Sequence, residues 1–213
     1  MIRIKICGIQ DEAAAHAAAQ AGADAIGLVF APGRRQVDLA RARRIAASLP
    51  PFVTRVGVVV NEPLEHLRAL VDGVRLDAVQ LHGDESPGYC EAVAAMGITV
   101  IKAVPVTGPL EVGALRALPV SAILLDAYRP GQRGGTGEPF DWRHGAPVAR
   151  VMPTILSGGL TAENVGEGIA AVRPYGVDVS TGVETDGRKD PGKIRAFVVA
   201  AREAAARLAE VRR

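Results

Sequence analysis

The sequence predicts an α/β fold: a single (β/α)8 barrel, the TIM-barrel architecture, running over residues 1–213. Three observations carry that expectation. Short β-branched runs alternate with amphipathic helical stretches eight times along the chain. Several of the runs, VGVVV (56–60) and AILLD (122–126) among them, are apolar almost throughout, as parallel strands buried under helices must be. The length, 213 residues, lies at the low end for this barrel. An open, doubly wound sheet usually has five or six strands and a glycine-rich phosphate loop after the first. No GxGxxG follows the first run here, and no linker divides the chain.

In chain order, the first strand is expected at 2–7 and a helix from near Asp11 to a stop at Gly22. The second strand follows at 25–30, with a helix capped by Asp38. The third is at 55–60 with a helix from near Leu64, and the fourth at 78–82 with a helix opened by Ser86 and stopped at Gly97. The fifth is at 100–104 with a helix near Leu110, and the sixth at 122–126. The connection 127–153 opens on the glycine-rich PGQRGGTG and leaves room for only a short helix at 143–150. The seventh strand, 154–157, leads through Thr161 into a helix near Glu163; the eighth, 177–180, leads to a helix near Gly192. Asp38, Ser86 and Thr161 are placed as N-caps because their side-chain oxygens can accept from first-turn N–H groups. Gly22 and Gly97 are placed as stops because glycine enters the left-handed region without strain.

Composition narrows the functions. With 48% hydrophobic and 23% charged residues, disorder and collagen-like repeats are excluded. The apolar runs fall far short of the roughly 18 residues of a membrane span, so no membrane partner is expected. The opening MIRIKICGI sets Arg3 and Lys5 inside its apolar run, which is not the pattern of a secretory leader. Cys7 and Cys90 therefore read as reduced thiols, and a cytoplasmic setting is expected. A net charge of +2 and 4% aromatics argue against a nucleic-acid partner. The expected partner is a small molecule.

In a barrel, polar side chains at the C-terminal strand ends point into one mouth. The period-two alternation of a strand puts Lys5 with Cys7, Gln80 with His82, Leu124 with Asp126, and Asp178 with Ser180 on common faces. Four strands thus end in polar groups where a filled core would want Val, Ile or Leu. Cys7 is either a small inert core thiol or, with Lys5 lowering its pKa, a base or nucleophile. Asp126 closes an apolar strand and must be functional or serve as a loop acceptor, since burial without a partner is costly. Asp178 could bond a substrate hydroxyl or orient its neighbours. His82 reads as a substrate contact, because His16, His66 and His144 lack metal-ligand spacing; no metal is expected. Gly158 and Gly159 after the seventh strand, and Ser180, Thr181 and Gly182 after the eighth, form two turns suited to a phosphate. Arg34 and Arg35 after the second strand offer guanidinium groups to a carboxylate or second phosphate, or form a solvated charged loop.

Taken in order, KICGI (5–9), GADAIGLVF (22–30), RVGVVVN (55–61), VQLHG (79–83), LLD (124–126), GGTGxxFDW (134–142), LSGGL (156–160), VDVSTGVE (177–184) and GRKD (187–190) resemble the phosphoribosylanthranilate isomerase family of tryptophan biosynthesis. The resemblance spans residue 3 to about residue 200. It implies Cys7 as general base and Asp126 as general acid in a cofactor-free Amadori rearrangement of a phosphorylated sugar, N-(5-phosphoribosyl)anthranilate. It also implies a carboxylate-binding arginine after the second strand. Glycine replaces the family's serine in Gly33-Arg34-Arg35, so Arg35 is the choice and Arg34 the alternative. Gln80, His82 and Asp178 are expected at the substrate. The paired serines of the last phosphate turn become Ser180 and Thr181. The resemblance implies either a monomer or a homodimer. The analogous isomerase of histidine biosynthesis would need a second phosphate turn where this chain has VVVNEP and QLHGDE, and an aspartate in place of Cys7. A catalytically silent phosphate-binding barrel would not need both Cys7 and Asp126.

Overall fold

The structure, a computed structural model, describes residues 2–127 and 140–210. The glycine-rich stretch 129–137 lies outside the described residues. Eight parallel strands close in sequence order, β8 pairing back onto β1. They are β1 (Arg3–Cys7), β2 (Ala25–Val29), β3 (Thr54–Val59), β4 (Ala78–Leu81), β5 (Thr99–Val106), β6 (Ala122–Ala127), β7 (Thr154–Leu156) and β8 (Gly176–Val179). The helices are α1 (Glu12–Ala21), α2 (Leu39–Ser48), α3 (Leu64–Val74), α4 (Pro87–Ala94), α5 (Val112–Arg116), α6 (Ala146–Ala149), α7 (Val165–Val172) and α8 (Pro191–Glu210).

Alternation sorts each strand into two faces. Outward residues such as Ile4, Ile6, Leu28, Leu81 and Val177 are fully buried under the helices. The inward face packs Val56, Ala78, Ile101, Ala103, Ala122, Leu124 and Ile155 into a plug, so the barrel is filled and not a pore. Each large side chain so buried contributes about 1.5–3 kcal/mol. Closure is reinforced at the opposite end, where Arg202 on α8 donates to Ile2 O, Gly22 O and Asp24 Oδ2.

Asp38 and Ser86 cap their helices as expected, accepting from Arg41 N at 2.7 Å and Tyr89 N at 3.2 Å. Gly22 ends α1 in the left-handed region. Thr161 is not a cap. Asn164 precedes α7, and its side chain accepts from Thr161 N and donates to Gly159 O, tying off the glycine turn instead. The helix α4 stops at Ala94, short of Gly97, which takes its left-handed φ of 77° in the link that follows. Strand β5 runs on to Val106, because Pro105 and Val106 stand in register with Asp126 and Ala127. A hairpin of β9 (Glu184–Thr185) and β10 (Arg188–Lys189) precedes α8. Its signal is in the sequence: Asp186-Gly187 takes positive φ at both positions (50° and 76°), the mark of a two-residue hairpin turn.

Candidate active site

Strand ends build one mouth. A cavity of about 520 Å³ opens at the C-terminal ends of the strands, lined by Cys7, Arg35, Gln80, His82, Asp126, Asp178, Gly158, Gly159, Ser180, Thr181 and Gly182. Every residue singled out as a site candidate is therefore brought to the same cavity, with Arg34 beside them. Cys7 and Asp126, 119 positions apart in the chain, share it.

On the β1–β8 side the chemistry is ionic. Lys5 and Asp178 stand in register on neighbouring strands, and Lys5 Nζ donates to Asp178 Oδ1 at 2.9 Å with both groups buried. Ser157 Oγ also reaches Asp178, at 3.4 Å. Room for this cluster inside the barrel comes from Gly27 on β2. A Cβ there would lie 2.7 Å from Cys7 Sγ and 3.2 Å from Lys5 Nζ, so only glycine lets the thiol and the lysine approach. Lys5 does lower the Cys7 pKa, as expected, but not enough to bring it below its ordinary value. Burial pushes the thiol up; Lys5 and Lys189 pull it back only in part, and Asp178 adds to the rise. Lys5 itself, for which burial favours the neutral form, is held charged by Asp178.

On the β4–β6 side the carboxyl of Asp126 meets a backbone N–H and an imidazole. Asp126 Oδ1 accepts from Ala127 N at 3.0 Å, and Oδ2 lies 3.2 Å from His82 Nε2. Gln80 Nε2 lies 2.8 Å from His82 Nδ1. Gln80, expected at the substrate, is only 1% exposed and gives its amide to the imidazole. His82 is the outer member of the trio, with 18% of its side chain exposed.

The arginines meet a carboxylate of the protein's own. Arg35 donates to Glu184 from Nε at 2.7 Å and from Nη2 at 3.1 Å, and to Thr181 Oγ1 at 2.8 Å. Arg34 Nη2 and Lys189 Nζ bond the same carboxylate at 2.7 and 2.8 Å. Burial works against ionised Glu184, but hydrogen bonds from Arg35, Lys189 and Arg34 outweigh it and hold its pKa at about 2. Three cations around one anion leave this rim positive. Lys189 also donates to Ser180 O at 2.9 Å, and Ser180 Oγ donates to Cys7 O at 3.1 Å, so the rim is tied to the β1 turn. Among the described residues no group of three or more His, Cys, Asp or Glu is placed to hold a metal ion. No helix among them is long and apolar enough to cross a membrane.

Comparison with known proteins identifies this arrangement. A family model described as N-(5'phosphoribosyl)anthranilate (PRA) isomerase matches residues 4–200. The chain belongs to the N-(5'-phosphoribosyl)anthranilate isomerase family. A family member from Desulforudis audaxviator is 50% identical over 206 residues, covering 96% of this chain and all of that protein. The Thermus thermophilus phosphoribosyl anthranilate isomerase structure superposes with a TM-score of 0.87 at 40% identity, covering 95% of this chain and 99% of its own. A second solved isomerase, in complex with reduced 1-(o-carboxyphenylamino)-1-deoxyribulose 5-phosphate, gives 0.83 at 43% identity, covering 95% and 100%.

Membership of the phosphoribosylanthranilate isomerase family makes the chain an isomerase of tryptophan biosynthesis. Glu184 and Lys189, which hold the rim beside the cavity, are the residues that the sequence reading passed over, although both lie in VDVSTGVE and GRKD. An acidic residue directly after a turn suited to an anion is out of place unless cations surround it, and that was the available signal.

Proposed function

We propose that this enzyme performs the Amadori rearrangement of N-(5-phosphoribosyl)anthranilate to 1-(2-carboxyphenylamino)-1-deoxyribulose 5-phosphate, with Asp126 as general acid and Cys7 as general base. The single observation that supports this reading best is that Cys7 and Asp126 line one cavity from different walls. The glycine turns after β7 and β8 and the arginines after β2 meet on one side of the mouth, where Arg35 reaches Thr181 Oγ1 at 2.8 Å.

Phosphate is received by the turns of Gly158 and Gly159 and of Ser180, Thr181 and Gly182, whose glycines let main-chain amides close on an anion. The anthranilate carboxylate meets Arg35, with Arg34 beside it. The aryl ring is matched by Val29, Pro32, Val58 and Val60 on the neighbouring wall. His82 and Asp178 flank the sugar, and Gln80 lies beneath His82. Protonated Asp126 donates to the furanose ring oxygen as the C1–O bond breaks, and the nitrogen lone pair forms the C1 iminium. Cys7 thiolate then takes the proton from C2, the electrons move to give the enolamine, and tautomerisation yields the ketone. Because burial keeps the resting thiol protonated, the iminium cation would supply the attraction that makes thiolate accessible. Such a shift needs one acid and one base, and suits an enzyme of the cytoplasm with two free thiols.

A fluorescence assay following loss of phosphoribosylanthranilate tests this. Cys7→Ala and Asp126→Asn are each expected to lower kcat by roughly 10²–10⁴-fold with the fold intact. Near-parental turnover in either variant removes that residue from the mechanism.

A further inference from the structure

The mechanism above leaves one buried atom unused. Gln80 Oε1 is shielded from solvent with no hydrogen-bond partner among the described residues, while Nε2 of the same amide faces His82 Nδ1 at 2.8 Å. A buried amide oxygen without a partner is costly and unusual in a site otherwise satisfied. A half-turn of the amide exchanges its oxygen and nitrogen without changing its shape.

The two orientations dictate opposite proton patterns. With nitrogen on Nδ1, the imidazole must carry its proton on Nε2, and Asp126 Oδ2, 3.2 Å away, accepts as a carboxylate. With oxygen on Nδ1, the imidazole carries Nδ1–H, and Nε2 presents a lone pair. Only a protonated Asp126 can bond that lone pair. The first pattern fits the carboxylate left after ring opening; the second fits the acid needed before it.

We propose that Gln80 is a positioning residue that acts through His82 to set whether Asp126 holds its proton. The proposal rests on Asp126 being the general acid. It also supplies the step that re-arms it. His82, partly open to solvent, takes a proton from water or a buffer acid and becomes an imidazolium with Nδ1–H on Gln80 Oε1. The Nε2–H bond then breaks, the proton joins Asp126 Oδ2, and an imidazolium–carboxylate pair becomes a neutral imidazole and a carboxylic acid. During this transfer the amide stands in its half-turned orientation, with Gln80 Oε1 accepting from Nδ1–H.

The test reads His82 directly. In ¹⁵N-histidine-labelled protein, the parent is expected to show the Nδ1–H tautomer at His82. Gln80→Leu, which removes the acceptor, should shift His82 to the Nε2–H tautomer and lower kcat about 10-fold with KM within about 3-fold. Gln80→Glu, which offers only acceptors, should restore Nδ1–H and most of kcat. The same tautomer in parent and Gln80→Leu overturns the proposal, as does a Gln80→Glu enzyme as slow as the leucine variant while folded. A tautomer that moves with kcat unchanged overturns it through its premise; a fully active Asp126→Asn marks that case apart.

Discussion

The two walls of the mouth are built on different electrostatic plans. Around Cys7, the β1–β8 wall packs Lys5 and Asp178 into the barrel with Lys189 on the rim beside them, and the thiol sits among fixed charges. Around Asp126, the β4–β6 wall offers a backbone N–H, an imidazole and an amide, with no lysine or arginine bonded to the carboxyl among the described residues. Under the proposed mechanism, the group that surrenders a proton is kept from cations that would strip it early. The thiol that this mechanism would ionise has cations near it that offset, but do not cancel, the cost of burial. One fold thus gives opposite surroundings to Asp126 and Cys7 by drawing them from strands with different neighbours.

Breaking the ionic wall should have the largest effect. Lys5→Met leaves Asp178 buried without its partner, and is expected to cost about 3–5 kcal/mol of stability in a denaturant titration. Adding Asp178→Leu should return most of it; a single variant that unfolds at the parental midpoint would show that the pair is not what holds this wall.

The rim responds to acid. Because the folded Glu184 pKa lies at about 2, below an unfolded value of 4.5, its contribution is present above pH 4.5 and lost as pH falls towards about 2. Glu184 alone should take away on the order of 3 kcal/mol across that window. In Glu184→Gln the loss over the same window should be smaller by that amount, and parallel acid-unfolding curves would contradict it.

Arg35→Met sharpens the comparison from the substrate side. Removing a charge-assisted grip should raise KM roughly 10–100-fold and change kcat only a few-fold. A large fall in kcat at constant KM would move Arg35 from binding to chemistry.

The smallest effect concerns the thiol itself. With its pKa above the ordinary 9.0, inactivation of Cys7 by iodoacetamide should still be accelerating past pH 9, where a free cysteine begins to level. A plateau reached below that pH would show that the cations outweigh burial.

Much of the site was legible because strand periodicity is rigid. Knowing that AILLD is a strand is enough to place Asp126 at its open end, and KIC does the same for Cys7. Turn chemistry was legible too, in Gly158-Gly159 and, unused, in Asp186-Gly187. Partner choice was not. Nothing local says that Glu184 gathers Arg34, Arg35 and Lys189, that Asn164 rather than Thr161 stands before α7, or that the Gln80 amide turns to His82 and leaves its oxygen bare.

The amino-acid order alone settled the eightfold alternation, the strand that delivers each polar group, and the family, since all three depend on residues close together in the chain. Closure settled which charged groups meet. Lys5 meets Asp178 across 173 positions only because β8 returns to β1, and the cost of burying Cys7 exists only once helices and neighbouring strands have removed the water. Desolvation and ion pairing depend on distances through space, and the folded barrel alone sets those.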